Sequence, residues 1–303
     1  MTRENDGFRC GFVALVGRPN VGKSTLMNRL VGQKIAITSA KPQTTRGQIR
    51  TIYTDENAQI VFIDTPGLHI AKNRLGDYMV RMSHGALQDV DAVLLMTEPS
   101  HEIGDVEAEL IARLKDAAVP VMIIVNKADA SDEELVSGTL AMYAARAPFA
   151  KVRALSALRG EGTDALLREI TGMLPYGEAL YEEDELTDQP VRDIAAEIIR
   201  EKALRLLNDE VPHGVAVTIE KMRERVTRAG EPITDVEASI ICEKDTHKGI
   251  VIGKDGRMLK RIGTLARADI ERLTEGKVNL RLFVKVRKDW RNDALQLKSL
   301  GYR

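Results

Sequence analysis

The chain has 303 residues, 44% of them hydrophobic, and a formal net charge of −1, so we expect two domains with well-packed cores. Its two cysteines, Cys10 and Cys242, exclude a disulfide framework, and the absence of an apolar run of about 20 residues excludes a membrane-spanning segment. The polar amino terminus leads into a strand too short for a signal segment, and a cytoplasmic enzyme is therefore expected.

The first predicted strand, near residues 8 to 16, leads into a glycine-rich loop. The loop fits the pattern Gly-x4-Gly-Lys-Ser/Thr, in which backbone N–H groups surround phosphates, a lysine reaches the outer ones and a hydroxyl ligates magnesium. Because an apolar strand precedes it and a helical pattern follows, a phosphate-binding loop is favoured over an ordinary glycine turn. The candidate nucleotide-binding residues here are Gly17, Arg18, Pro19, Asn20, Val21, Gly22, Lys23, Ser24 and Thr25.

Two threonines follow the phosphate loop in the interval where a further magnesium ligand is expected. Thr44 and Thr45 both carry a suitable hydroxyl, and their spacing does not decide between them. Thr45 is favoured because a threonine directly before an arginine takes this role in related small GTPases. With Ser24, it would complete the hydroxyl ligands of the metal.

Two strands near residues 48 to 54 and 59 to 64 are joined by a short polar turn and should pair antiparallel. The second strand ends at Asp64-Thr65-Pro66-Gly67, which by itself could be a plain turn. Asp64 would hold a magnesium-bound water, and the N–H of Gly67 would reach the γ-phosphate. Leu68 follows, where Ras-like enzymes have the glutamine that orients the attacking water, so slow unaided hydrolysis is expected.

The expected catalysis consists of positioning and charge neutralisation, because no Ser/His/Asp or Cys/His arrangement supplies a nucleophile. Lys23, Thr45 and Gly67 are the candidate catalytic residues beside magnesium. Asn20 is a fourth candidate, because GTPases with the Gly-x-Pro-Asn-Val-Gly-Lys-Ser form of the loop often use this asparagine to hold potassium.

A buried-looking strand near residues 119 to 125 ends at Asn126-Lys127-Ala128-Asp129. A carboxylate only accepts hydrogen bonds, so Asp129 could take both N1–H and N2–H of guanine, an edge that adenine lacks. Asn126 would contact the other side of the base and tie this segment to the phosphate loop, while the stem of Lys127 would cover the ring. The motif predicts GTP and GDP as ligands, with a P-loop ATPase carrying a coincidental Asn-Lys-x-Asp as the alternative.

The last strand of this region, near residues 151 to 155, is followed by Ser156-Ala157. As the fourth segment in this order, the pair would place the Ala157 N–H at guanine O6. With another strand near 91 to 97, the alternation of short strands and helical periodicity up to residue 177 is typical of a doubly wound, mostly parallel sheet. The predicted fold of residues 1–177 is a Ras-like P-loop GTPase domain.

An acidic stretch over residues 178–190, which includes Glu182 to Glu185, is predicted to be the linker between two domains. The charge changes sign across it. Residues 191–303 contain 24 Lys and Arg against 18 Asp and Glu, a net charge of +6, whereas residues 1–190 have a net charge of −7.

The basic half is predicted to contain a helix near 192–208, strands near 215–226 and 236–243, two helices, and a strand near 279–286. This order matches an α+β type II KH domain, with Gly-x-x-Gly between the two helices. In a KH domain that loop clamps about four nucleotides of single-stranded RNA beside an apolar groove, here expected to involve Ile252 and Met258. The candidate RNA-binding residues are Lys248, Ile252, Gly253, Lys254, Gly256, Arg257 and Lys260.

Two features of this half argue against strong RNA contacts. Asp255 places an acid inside the loop, and aromatic residues are few, with Trp290 more typical of a core residue than of a base platform. A KH-like module that docks a protein partner is therefore the alternative function for residues 191–303, and a basic solvated helix on a small α+β module is the non-functional one.

The chain closely resembles the Era family of GTPases over almost its whole length. The resemblance rests on the motifs above together with Gln43-Thr44-Thr45-Arg46, Ile198-Ile199-Arg200-Glu201-Lys202 and Ser299-Leu300-Gly301-Tyr302. It implies a GTP-switched factor for assembly of the small (30S) ribosomal subunit, whose KH domain binds 16S ribosomal RNA near the 3′ end. It also implies loose peripheral association with the inner membrane. We further expect a monomer whose nucleotide state sets its affinity for RNA.

Overall fold

The computed structural model describes residues 7–39, 41, 44–67, 73–87, 89–208, 211 and 214–302. They form two compact units. Described residues within 1–36, 45–70 and 79–188 belong to the first unit, and those within 37–44, 71–78 and 189–303 belong to the second. None of the helices in the described ranges is long and apolar enough to cross a membrane.

The first unit is built on a six-stranded sheet. Its strands are β1 (Arg9–Gly17), β2 (Ile49–Thr54), β3 (Ala58–Asp64), β4 (Ala92–Thr97), β5 (Val121–Val125) and β6 (Lys151–Ala154). They lie in the order β2-β3-β1-β4-β5-β6, with β2 antiparallel to β3 and every other neighbouring pair parallel. The predicted Ras-like arrangement, including the antiparallel edge pair, is confirmed.

Helices cover both faces of this sheet because its strands are buried on both sides. The helices are α1 (Lys23–Val31), α2 (Arg74–Gly85), which contains residues of both units, α3 (Asp105–Leu114), α4 (Glu133–Arg146) and α5 (Thr163–Met173). Along β1, Val13 and Leu15 pack on one face with residues of α1 and α5, and Ala14 and Val16 pack on the other with residues of α3. Because β1, β3, β4 and β5 run parallel, their carboxyl ends and the loops that follow them lie at one edge of the sheet.

The acidic stretch predicted as a linker follows the edge of this sheet. The carbonyl of Leu186 accepts the N–H of Ile52 in the edge strand β2 at 2.9 Å. The side-chain oxygen of Gln59 accepts the N–H groups of Leu180 and Tyr181 at 2.7 and 2.9 Å. Hydrogen bonds with the backbone of β2 and the side chain of Gln59 therefore attach this stretch to the first unit.

The second unit contains a three-stranded sheet with helices. Its elements are α6 (Val191–Leu206), β7 (Ala216–Val226), β8 (Pro232–Cys242), α7 (Asp245–Ile252), α8 (Arg257–Leu273), β9 (Lys277–Val286) and α9 (Ala294–Ser299). The central strand β8 pairs antiparallel with β7 and parallel with β9. The predicted KH order of helices and strands is confirmed.

Two details of the second unit differ from the sequence prediction. Strand β8 begins at Pro232 instead of near 236, because its first residues continue the antiparallel ladder with β7. Helix α9 was not predicted, since its six residues are too few for a clear apolar period; it begins at Asp293, whose carboxylate accepts the N–H groups of Leu295 and Gln296. Trp290 is buried and donates its Nε1–H to the Gly214 carbonyl at 3.0 Å, as expected of a core residue.

Candidate functional site

The phosphate loop joins β1 to α1 and depends on its two glycines. Gly17 and Gly22 have φ angles of +147° and +103°. A Cβ atom at Gly17 would come within 2.2 Å of the Met96 carbonyl oxygen, and one at Gly22 within 2.2 Å of Asn126 Nδ2. Both positions therefore require glycine, for backbone conformation and for close packing against β4 and the segment after β5.

Lys23 lies within this loop with its side chain buried. Its ammonium donates to the carbonyls of Gly17 and Arg18 at 3.1 and 3.0 Å. Burial lowers the pKa of Lys23 to about 8, against the opposing effect of the Asp64 carboxylate. A desolvated cation surrounded by backbone N–H groups suits an anionic ligand.

Hydroxyl and carboxylate oxygens meet next to the lysine. Ser24 Oγ donates to Asp64 Oδ2 at 2.6 Å, and Thr45 Oγ1 lies 3.1 Å from Ser24 Oγ and 3.4 Å from the same carboxylate oxygen. Asp64 is fully buried, its Oδ1 has no hydrogen-bond partner among the described residues, and burial raises its pKa against the effect of Lys23. An unsatisfied carboxylate oxygen beside two hydroxyls fits Mg²⁺, which prefers hard oxygen ligands.

The structure distinguishes the two candidate threonines. Thr45 faces Ser24 and Asp64, whereas the hydroxyl of Thr44 donates to the Lys41 carbonyl at 2.6 Å. Of the two, Thr45 is the residue that the fold brings to the oxygen cluster. Gln43 lies outside the described residues.

The segment after β3 contacts the phosphate loop directly. A Cβ atom at Gly67 would lie 2.5 Å from the backbone nitrogen of Pro19, so only glycine allows this approach. Thr65 donates its hydroxyl to the Leu15 carbonyl at 2.8 Å, and the Pro66 carbonyl accepts the hydroxyl of Ser83 at 2.6 Å. Leu68, at the position of the expected water-orienting residue, lies outside the described residues.

Asn126 connects three loops of the site. Its Nδ2 donates to the Val21 carbonyl in the phosphate loop at 2.7 Å, as the sequence predicts. Its Oδ1 accepts the N–H of Ala157 at 2.9 Å. The Ala157 N–H is the group that the sequence predicts to bind guanine O6, and because Asn126 already accepts it, a base would have to share or replace this bond.

Asp129 and Lys127 have partners that sequence reasoning missed. The Asp129 side chain is 11% exposed, and Arg159 Nε lies 3.3 Å from its Oδ2. Lys127 has a φ of +63°, and its ammonium lies 2.5 Å from Glu98 Oε2. Neither Arg159 nor Glu98 stands in a recognisable motif, so only the tertiary fold reveals these pairs.

Two further predicted residues flank this site. The hydroxyl oxygen of Ser156 accepts the backbone N–H of Arg159 at a distance of 3.1 Å. This hydrogen bond orders the turn after β6. Thr25 follows Ser24 in the first turn of α1 and is partly buried. The predicted nucleotide-binding residues of the first unit thus lie at the ends of β1 and β3, in the loops after β1, β3, β5 and β6, and in the first turn of α1, with Thr45 between α1 and β2.

In the second unit, the Gly-x-x-Gly loop joins α7 to α8. Gly253 has φ +71° and ψ +172°, and a Cβ atom there would lie 2.7 Å from Met258 Cβ. Gly256 and Asp255 have φ angles of +73° and +52°, and aspartate is among the residues that tolerate this left-handed conformation. Asp255 also lies 3.5 Å from the Arg257 guanidinium, which partly offsets the acid that the sequence left uncompensated.

A groove of about 360 Å³ lies between α8 and β9 beside this loop. The neighbouring faces of α8 and β9 form it, because alternate residues of β9 point towards the helix; Ile252 and Met258, which are predicted to line the RNA groove, are not among its lining residues. Lys248, Lys254 and Lys260 are exposed around the loop. The groove residues are Gly256, Leu259, Lys260, Gly263, Thr264, Arg267, Leu280 and Leu282.

Within the second unit, α6 and the residue after it contact Thr38, Lys41 and Thr44, which precede Thr45 in sequence. Glu201 Oε1 accepts the backbone N–H of Thr38 at 3.0 Å and the guanidinium of Arg205 at 2.9 Å. Arg200 donates to the Thr44 carbonyl, and Lys202 joins Glu201 to Asp269 of α8. Three consecutive charged residues, 200 to 202, are buried, a feature that an amphipathic helix pattern does not predict.

Comparison with known proteins gives matches over both units. Residues 12–127 match the family described as 50S ribosome-binding GTPase, and residues 210–291 match the KH domain family. The chain is 48% identical over 296 residues to a protein named GTPase Era from Clostridium botulinum, covering 98% of this chain and 99% of the relative. It is also 48% identical over 295 residues to GTPase Era from Geobacter metallireducens, covering 97% and 98%.

Two solved structures share the whole architecture. One is a variant of Aquifex aeolicus Era bound to GDP.AlF4−, and the other is Era in complex with MgGDPNP and nucleotides 1506–1542 of 16S ribosomal RNA. Each has a TM-score of 0.92 and 36% identity, over 97% of this chain and 99% of the matched chain.

Proposed function

This chain belongs to the Era family of GTPases, and from that premise we propose that it is a GTP-hydrolysing, RNA-binding switch protein that acts in assembly of the small ribosomal subunit. The observation that carries the nucleotide part is the convergence of four loops at one edge of the sheet. Asn126 bonds the phosphate loop and the Ala157 loop simultaneously, so the base-reading and phosphate-binding segments form one site.

In this site, Asp129 reads the guanine edge and Lys23 neutralises the outer phosphates. Ser24, Thr45 and Asp64 would hold Mg²⁺, which when bound supplies charge neutralisation on the β- and γ-phosphates. Gly67 offers its N–H to the γ-phosphate, and the close approach of its segment to Pro19 supports that role. With leucine at position 68, no side chain there orients water, and the intrinsic rate is slow.

Potassium is expected to accelerate GTP turnover, with Asn20 as its ligand. Asn20 lies in the phosphate loop with a φ of +66°. A cation near the β/γ bridge would stabilise developing charge, and we expect a rate about tenfold higher in potassium than in sodium at equal ionic strength. Asn20→Ala should remove that difference. Equal rates of the wild-type protein in the two salts would eliminate the idea.

The proposed RNA partner is single-stranded 16S ribosomal RNA near its 3′ end, held by the Gly253–Gly256 loop and the α8–β9 groove. The exposed lysines around the loop and the Era complex with RNA support this proposal. Crosslinking in cells followed by sequencing should recover that segment. Binding to the oligonucleotide should weaken steeply between 50 and 200 mM salt; salt-insensitive binding of a protein and no RNA would instead favour the protein-docking alternative.

We propose that nucleotide state reaches the RNA-binding unit through the residues that precede Thr45 in sequence, of which Thr38 and Thr44 bond to α6. Glu201→Gln keeps the side-chain shape but weakens the bonds to Thr38 and Arg205. It should reduce the difference in RNA affinity between the GDPNP and GDP states by about fivefold. The control is Glu231→Gln, because Glu231 forms an exposed ion pair with Lys277 in the same unit. An unchanged difference would contradict this route.

A monomeric state, a cytoplasmic location and peripheral association with the inner membrane complete the proposal. Of these, the membrane association comes from the sequence resemblance. Flotation with vesicles of inner-membrane lipids tests the last of them, since a peripheral protein should be released by high salt.

A further inference from the structure

A buried carboxylate of α3 contacts the phosphate loop. Glu107, in the first turn of α3, is 0% exposed and forms an ion pair with the guanidinium of Arg18, the second residue of the loop. Neither of its oxygens has a hydrogen-bond partner among the described residues. A Cβ atom at Gly104 would lie 2.9 Å from Glu107 Oε2, so the glycine before α3 leaves room for the carboxylate.

The ion pair restricts the position of the Arg18 side chain, because the buried Glu107 carboxylate needs a cation beside it. A buried carboxylate is costly unless a cation balances it, and the positive end of the α3 dipole supplies only part of the compensation. The side chain of Arg18, by contrast, is 39% exposed and could be solvated elsewhere. The buried acid therefore selects the one arrangement of Arg18 that neutralises it.

The backbone of Arg18 belongs to the cradle around Lys23. The carbonyls of Gly17 and Arg18 accept from the lysine ammonium at 3.1 and 3.0 Å. When the Arg18 side chain is held in one place, the Arg18 carbonyl that accepts from Lys23 is held as well. The backbone N–H groups next to Arg18 in the loop are then also held.

We propose that Glu107 is a positioning residue that acts through Arg18 to hold the phosphate loop in the conformation that receives the β-phosphate. This inference rests on the nucleotide-binding function proposed above. It predicts an effect that depends on the phosphates of the ligand and is small for the base, because Asp129, which is proposed to read the base, lies in the segment after β5 and pairs with Arg159.

The test compares GDP with GMP, which lacks the β-phosphate, by calorimetry or by competition with a fluorescent nucleotide. Glu107→Gln, which removes the charge and keeps the volume, should weaken GDP about tenfold and change GMP less than twofold. Arg18→Gln should have the same selective effect, and the double variant should lose no more than either single variant. Glu109→Gln is the matched control, because that acid lies on the same helix in an exposed pair with Arg113.

Several outcomes would overturn the inference. The inference would be contradicted by a GDP affinity within twofold of wild type, by an equal loss of affinity for GDP and GMP, or by additive losses in the double variant. In each case Glu107 would contribute to the stability of the fold only, whether or not the melting temperature of the variant fell. If Glu107→Gln does not fold, Arg18→Lys decides, because it keeps a cation beside the buried carboxylate and loses the planar guanidinium; it should weaken GDP and change GMP less than twofold. A wild-type protein that binds no GDP would instead reject the proposed function itself, and this inference with it.

Discussion

Asp129→Asn is expected to weaken GTP binding by about 10²- to 10³-fold and to make xanthosine triphosphate the preferred ligand. A carboxylate accepts from both N1–H and N2–H of guanine, whereas an amide presents one acceptor and one donor. Xanthine replaces the N2 amine by a carbonyl, which the amide N–H can reach. Titration calorimetry with GTP and xanthosine triphosphate measures this change of preferred ligand directly.

The control for this variant is Asp116→Asn, the same change at an exposed aspartate between α3 and β5. It should leave both affinities within twofold. Loss of the Arg159 contact in Asp129→Asn has a small effect on stability, because that arginine is largely exposed. Unchanged GTP affinity in Asp129→Asn would falsify the assignment of Asp129 to the base.

Gly253→Asp is expected to weaken RNA binding by about 10²-fold or more while GTP hydrolysis without RNA stays within twofold of wild type. With φ +71° and ψ +172°, Gly253 occupies a region that is essentially restricted to glycine. A Cβ atom there would also lie 2.7 Å from Met258 Cβ and 3.0 Å from its backbone nitrogen. The loop must move, and a new carboxylate would face the phosphates of the RNA.

Gly230→Asp provides the matched control for charge and for left-handed backbone. Gly230 lies in the turn between β7 and β8 with a φ of +81°, and a Cβ atom there would have open space around it. Its RNA affinity should stay within about threefold of wild type. Full RNA retention by Gly253→Asp would show that the clamp lies elsewhere on the second unit.

The sequence predicts most of the architecture because both units are built from strong local signals. Alternating apolar runs identify the strands of the first unit, and the polar turn at 55–57 predicts the antiparallel edge pair. The start of β8 was harder, since its first four residues include a proline and an aspartate, which are rare in strands, and they take strand conformation from their ladder with β7. Short α9 depends on the Asp293 cap, a signal of one residue.

Predicting the sites from sequence succeeds where a motif carries its own geometry and fails where contacts are distant. The phosphate loop and the Asn126 bridge follow from spacing. By contrast, the Glu107–Arg18 pair joins residues 89 positions apart, and Arg159 reaches Asp129 across 30 positions without any motif. Burial of residues 200 to 202 was hidden because an apolar pattern does not mark charged residues as buried. Their charges are balanced by Glu197 and Arg205 of the same helix and by Asp269 of α8.

The central claim is that one aspartate makes this P-loop site specific for guanine. Calorimetry of the wild-type protein with GTP and ATP, in magnesium and at one salt concentration, tests it most directly. We predict measurable GTP binding and an affinity for ATP at least 10²-fold weaker. Comparable affinities for the two nucleotides would contradict the account.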